Sequence, residues 1–199
     1  MPNSFHDIPV QIVLLSLGPS RRISQQTVSD SWGEPALVPG DINALAPVLY
    51  SSVSEEGIFL LTRMQPDDPS LYKASGNFDG FAGAEQVVIP AIQRAYDQTL
   101  ALDGSVLAFI SAVAPGSKQR AVFVTRQQDG KWSAPALLYS AASGELLLAT
   151  GLSRDAKAVY FSSNKPFPQL GKGVHIFSLP IDLSDRYLWH FGLQRSPAS

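Results

Sequence analysis

The chain has 199 residues, 45% hydrophobic and 16% charged, with a formal net charge of -2 and no cysteine. That length bounds the fold at one or two domains with a buried core, and the missing cysteine excludes disulfides, thiolate catalysis and Cys-ligated zinc. No basic run exceeds Arg21-Arg22, which excludes the clustered basic face of a nucleic-acid binder, while a charged share below the usual ~25% favours strands over amphipathic surface helices.

In chain order, His6 precedes an apolar run from Ile8 to Leu17 that Pro9 and Gln11 interrupt. With no positive residues before it and too few residues to cross a bilayer, it reads neither as a secretory signal nor as a membrane span. A soluble protein is expected, with its compartment left open. The run contains a first strand, "QIVLLSL", and a second strand runs through "PALV".

From there the chain repeats itself. "SWGEPALV" (Ser31 to Val38) returns as "KWSAPALLY" (Lys131 to Tyr139), with Trp32, Pro35, Ala36 and Leu37 each 100 residues before Trp132, Pro135, Ala136 and Leu137. Asp79-Gly80 lies midway, 50 residues before Asp129-Gly130, and is followed by Phe81 where the other copies carry tryptophan. A second series supports the same period: "SEEGIFLLTR" (Ser54 to Arg63), "ALDGSVLAFIS" (Ala101 to Ser111) and "SRDAKAVYFSSN" (Ser153 to Asn164) each place an acidic turn before an alternating apolar run. A third series, "SLYKA", "RAVFVTR" and "VHIFSLP", follows each of these.

Each unit thus holds four candidate strands. Asp129-Gly130 is a strong hairpin dipeptide, and the β-branched, aromatic run around Val122 to Val124 suits a strand. A helix competes over Ala82 to Leu102, but Pro90 interrupts it and the neighbouring units favour strands. Four antiparallel strands repeating every ~40 to 50 residues form a propeller blade, whose faces are buried by radial stacking.

The segment "VFVTRQQDGKWSAPALL", then "SRDAKAVYFSSNKP" and "GVHIFSLPI", resembles the WD40-like repeat of TolB-type propellers over Arg120 to Ile181. The resemblance extends to Ser31 to Arg63 and is weak in the middle unit. It implies a propeller and an interaction role, with no catalytic residues to carry over. Ala156 stands where the pattern has glycine, and Phe81 where it has tryptophan.

The expected fold is therefore all-β, a propeller of four-stranded antiparallel blades numbering about three and a half to four. One domain over 1–199 comprises a half-blade at 8–45 and blades near 46–90, 91–140 and 141–195, the last closing with "RYLWHFGL" (Arg186 to Leu193). A closed propeller usually has at least four blades, so an open half-blade invites strand addition, and a homo-oligomer that completes it is expected.

Chemical motifs are sparse. His6, His175 and His190 are scattered, "GLSRD" at Gly151 lacks the last glycine of a nucleophile elbow, and "LGKGVH" at Leu170 has Pro166 where a phosphate loop needs glycine. Asp67, Asp68, Asn77 and Asp79 lack calcium-loop spacing. Glu56, Asp103 and Asp155 fall at equivalent turn positions, which assigns them to turn structure. Trp32 and Trp132, each ahead of a Pro-Ala-Leu phrase, suit a packing role between blades better than sugar stacking. Neither a metal nor a cofactor is implied.

Binding residues are expected on the longer loops, because function gathers on loops held by a rigid scaffold. Within the units these loops supply Arg63, Lys118, Asn164, Lys165 and Phe167, and between blades they supply Asp41, Asn43, Gln93, Arg94 and Tyr96. The reading that follows is a non-catalytic module docking a protein or peptide partner on its loop face. The alternatives are a carbohydrate-active or small-molecule hydrolase with loop carboxylates at the channel mouth, and a sugar-binding lectin.

Overall fold

A computed structural model describes residues 22–23, 36–37, 40–45, 48–64, 70–77, 80–166, 171 and 173–182. The segments "QIVLLSL" and "RYLWHFGL", Trp32, His6, His190, Asp67, Asp68, Asp79 and Phe167 lie outside these residues.

The described chain consists of strands and one short 3-10 helix. Strands β1 (Arg22–Ile23) and β2 (Ala36–Leu37) pair antiparallel, and the helix Asp41–Leu45 follows. Then β3 (Val48–Val53), β4 (Ile58–Arg63), β5 (Ser70–Asn77) and β6 (Gly80–Gln86) form a four-stranded meander, the first sheet. The second sheet contains β7 (Tyr96–Leu100), β8 (Val106–Ala112) and β9 (Arg120–Gln128), edged by β10 (Lys131–Trp132) and β11 (Ala136–Ser140), which both pair with β9. The third contains β12 (Leu147–Leu152), β13 (Ala158–Ser163) and β14 (His175–Pro180). Strands occupy both β6 and β7, so Ala82 to Leu102 is not helical.

Alternation buries both faces of the central strands. In β8, Leu107 and Phe109 join Leu60, Leu71 and Phe123 in a core between the first and second sheets. Ala108 and Ile110, pointing the other way, join Val122, Leu147, Val159 and Phe161 between the second and third. Burying one such large side chain stabilises by about 1.5–3 kcal/mol, so consecutive β8 residues fasten two neighbours at once. The 3-10 helix covers the remaining face of the first sheet, with Ile42 fully buried against Phe59, Leu61 and Phe81.

The repeated tryptophan phrase forms the outer edge of the second sheet. Asp129 and Gly130 both have positive φ, 49° and 73°, which a primed two-residue hairpin requires, and Lys131 pairs with Gln128 across them. After Trp132 the edge is interrupted at Ser133 to Pro135 and resumes at Ala136 opposite Val124. Proline is tolerated there because an edge strand does not need its N–H for a ladder. The half-buried Trp132 packs on the core shared by the first and second sheets, the inter-sheet packing expected of it.

Polar groups key each sheet to the first strand of the next. Ser52 Oγ accepts from Leu100 N (3.1 Å), Thr62 donates to Gln98 Oε1 (2.6 Å), and Thr99 donates to the Thr150 carbonyl (2.6 Å). Thr150 donates in turn to the Asp97 carbonyl. The register of β3, β7 and β12 shifts at a bulge in each strand, so the units also share this irregularity.

Candidate binding site

The strand pairing sorts the connections onto two opposite ends. Tight turns join β3 to β4, β7 to β8 and β12 to β13, and the Asp129-Gly130 hairpin lies at that same end. At the other end, Arg63 pairs with Ser70, Ala112 with Arg120 and Ser163 with His175. The strand ends that bound 64–69, 113–119 and 164–174 therefore lie at the same end. Connections 87–95 and 141–146, which lead from one sheet to the next, open at this end too, because Tyr96 pairs with Ile110 and Leu147 with Ser163.

This loop end gathers most of the residues expected to bind. Arg63 closes β4 and Tyr96 opens β7, while Gln93, Arg94, Lys118, Asn164 and Lys165 are exposed. Asp41 and Asn43 are placed elsewhere. Gly40 bridges Phe81 next to the β5–β6 hairpin, so the 3-10 helix starts near the turn end and lies along the flank of the first sheet.

Two local arrangements give the rim its chemistry. On the second sheet, the Arg120 guanidinium lies over the Tyr96 ring, 4.4 Å from its centroid, a cation–π contact that holds both side chains in place. Ser111 donates to the Arg94 carbonyl (2.6 Å), and Gln119 Nε2 donates to the Ala141 carbonyl (2.7 Å), fastening neighbouring loops. On the third sheet, Glu145 accepts from Tyr139 Oη (2.8 and 2.9 Å), Ala142 N (2.8 Å) and Ser163 Oγ. Lys165 Nζ stands 5.5 Å from the centre of the Tyr139 ring, and Asn164 Oδ1 accepts from Leu146 N (2.6 Å).

Burial pushes the Glu145 carboxyl up, yet the donors Ser163, Ala142 and Tyr139 together with Lys165 hold it below its ordinary value. Burial and then the bond to Glu145 raise the Tyr139 phenol. Glu145 is thus an ionised anchor for the loop, bonded on several sides. Sequence reasoning missed Glu145 and Arg120.

The turn-end carboxylates serve the backbone. Asp103 accepts from Ser105 Oγ (2.7 Å) and Ser105 N (3.0 Å), and the Ser105 hydroxyl is the main reason its pKa is lowered. Asp155 accepts from Ser153 Oγ (2.7 Å) and Lys157 N (3.2 Å), with the Ser153 bond the main cause of its lowered pKa. Among the described residues no group of three or more His, Asp or Glu side chains is arranged to hold a metal ion, and no helix is long and apolar enough to cross a membrane.

No family model matches the sequence, and no curated protein matches it. Solved structures do. TolB from Acinetobacter baumannii superposes with a TM-score of 0.52 at 11% identity, covering 83% of this chain and 37% of that one. A puromycin-hydrolyzing peptidase from Mycobacterium tuberculosis superposes with a TM-score of 0.51 at 14% identity, covering 86% of this chain and 29% of that one. At these identities the likeness establishes architecture, and activity has to be argued from the site. The architecture is that of a β-propeller, and the chain spans well under half the length of either of these proteins.

Proposed function

From a TolB-type propeller scaffold, we propose that this chain is a binding module that docks a protein or peptide partner across its loop end. One observation carries the reading: the strand ends of all three sheets gather at one end, where Gln93, Arg94, Lys118, Asn164 and Lys165 are exposed and the Arg120–Tyr96 pair stands. A rigid scaffold under polar and aromatic loop residues suits recognition. Glu145 supports the same reading as a holder of the loop, since its carboxylate accepts from Tyr139 Oη, Ala142 N and Ser163 Oγ.

The test is selection of a random peptide library displayed on phage against the immobilised chain, followed by calorimetry on the enriched peptides. Lys118→Glu with Lys165→Glu should weaken binding at least tenfold. A matched reversal at the turn end, Lys131→Glu with Arg154→Glu, should leave it within twofold. Equal affinity of the two double variants would overturn the choice of end.

A further inference from the structure

We propose that the loop-end rim of the seam between the second and third sheets reads carboxylates through Arg120, and that the partner it takes is a peptide segment rich in Asp and Glu. The inference rests on the docking reading above and names the chemistry of the partner. Strand pairing places the site. Tyr96 lies opposite Ile110, Ile110 opposite Val122 and Val122 opposite Tyr139, and residues opposite one another in an antiparallel sheet share a face. Ile110 and Val122 are buried in one core with Val159 and Phe161, so this face is the one turned to the third sheet. Arg120 stands two residues before Val122 and shares its face, at the loop-end limit of β9. Its guanidinium covers the Tyr96 ring, 4.4 Å from the centroid. Further along the row the Tyr139 ring packs on Phe161, with centroids 5.0 Å apart, and carries Lys165 Nζ 5.5 Å from its own. Each tyrosine of the row thus stands under a cation at the mouth of one seam.

Arg120 departs from the repeat. Ser70 and His175 open the third strands of the first and third sheets as Arg120 opens that of the second, so the blade itself does not require a guanidinium there. Other cations are answered by a carboxylate. Lys73 meets Glu85 at 2.9 Å and Lys157 meets Asp155 at 3.8 Å, while Glu145, bonded to Tyr139 Oη, sets a negative charge beside the ring under Lys165. Among the described residues, no carboxylate or carbonyl accepts from the Arg120 guanidinium.

The occupant follows from that arrangement. Contact with a ring occupies the face of a guanidinium and leaves its in-plane N–H donors open. A planar fork held in place by a ring matches a carboxylate through parallel hydrogen bonds, and a fork already fixed loses little side-chain freedom on binding. Lys118, exposed in the connection just before Arg120, and Lys165, from the third sheet's side of the seam, extend the positive charge. Among the described residues at this end, Asp97 and Glu145 are outnumbered by Arg94, Lys118, Arg120 and Lys165, which favours an acidic partner. Charge spread over several positions suits carboxylates spaced along a peptide better than the single carboxylate of a C-terminus.

Calorimetry on the 199-residue chain tests this with peptides amidated at the C-terminus, one carrying a Glu-Asp stretch, one Gln-Asn in its place and one Lys. The acidic peptide should bind at least tenfold tighter than the neutral one, the basic peptide should be weakest, and the preference should shrink as salt rises. Arg120→Gln should abolish the preference, and Arg120→Lys should keep only part of it, since an ammonium lacks the fork. Tyr96→Phe, which retains the ring, should bind as wild type. Melts by circular dichroism confirm the fold, and Arg120→Lys carries the test if Arg120→Gln does not fold. Equal binding of the acidic and neutral peptides, or a preference unchanged by either Arg120 variant, overturns the proposal. So does a neutral peptide with a free C-terminal carboxylate that outbinds the amidated acidic one, because the site would then read chain ends. Phage-selected peptides that lose affinity in the Lys118→Glu, Lys165→Glu variant but are not acidic would leave the docking reading standing and remove this one.

Discussion

The two ends of the sheets are built from the same strands and solve the return of the chain in opposite ways. At the turn end the connections are short, and backbone geometry dictates them. Ser54 N donates to the Ile58 carbonyl (2.9 Å), Ala101 N to the Val106 carbonyl (2.8 Å) and Ser153 N to the Ala158 carbonyl (2.9 Å), one such bond in each sheet. Adjacent sheets meet directly there, Glu55 N donating to the Leu102 carbonyl (2.6 Å). At the loop end the connections are longer and held by side chains, with Glu145, Asn164 and Gln119 as the ties. Backbone ties leave little freedom for sequence change, whereas side-chain ties leave the intervening residues free to vary. The turn end should therefore govern stability and the loop end recognition.

The largest expected effect contrasts two glycines of almost equal conformation. Gly57, at the turn end, has φ +78°, and a Cβ there would lie 2.1 Å from the Gly76 carbonyl oxygen. Gly116, at the loop end, has φ +76°, and a Cβ there would meet nothing within 4 Å. Alanine in the left-handed region costs about 1–2 kcal/mol on its own. Gly57→Ala must in addition displace β5 and stretch the Gly76 N to Gly57 carbonyl bond (3.0 Å), for a total of about 3 kcal/mol. At about 2–4 °C per kcal/mol for a chain of this size, Gly57→Ala should lower Tm by roughly 6–12 °C and Gly116→Ala by about a third to two thirds as much. Equal losses in thermal melts would break the contrast between the ends.

A smaller effect concerns the carboxylates. The pKa values of Glu145 at the loop end, and of Asp103 and Asp155 at the turn end, are lowered in the fold. Each therefore contributes stability that is present above its unfolded pKa and is lost as pH falls through the folded one. Tm should fall below about pH 4, where ordinary carboxylates titrate. Glu145→Gln should flatten part of that decline and cost about 1 kcal/mol at neutral pH, since an exposed charged bond is weakened by solvent. Melts at a series of pH values check both expectations, and a Glu145→Gln profile parallel to wild type would remove Glu145 from the loop's support.

Architecture was legible in the sequence because a propeller is punctuated. Asp129-Gly130 marked a hairpin, and the returning Trp and Pro marked an edge strand, since hairpins and edges restrict which residues can stand there. The loop residues were legible as a class but not in their grouping. Nothing local distinguishes Asn43 from Asn164. Only the pairing of Gly40 with Phe81, a contact between distant residues, moves the first away from the rim. Glu145 was invisible as a functional group for the same reason, because its partners Tyr139 and Ser163 come from two different sheets. The exposure of Tyr160 and Ile176 on the third sheet was equally hidden, as "VHIFSLP" alternates just as a covered strand does.

The finest test of the comparison lies at Ala156. It occupies the turn position that Gly57 and Gly104 hold in the other two sheets, and its φ of 53° places it with them in the left-handed region, at 78° and 70°. The turn imposes this conformation through backbone bonds, Ala156 N donating to the Ser153 carbonyl (2.8 Å) and Ser153 N to the Ala158 carbonyl (2.9 Å). Alanine accepts it at a cost of about 1 kcal/mol or more. Ala156→Gly relieves that strain but adds about 0.5–1 kcal/mol of unfolded-chain entropy. The net gain should be about 0.5 kcal/mol, or roughly 1–2 °C in Tm. Equilibrium urea unfolding measures it most cleanly, as a higher midpoint with an unchanged slope. A lower midpoint would mean that this turn is not held by its backbone as the other two are, and that the third sheet departs from the turn-end pattern.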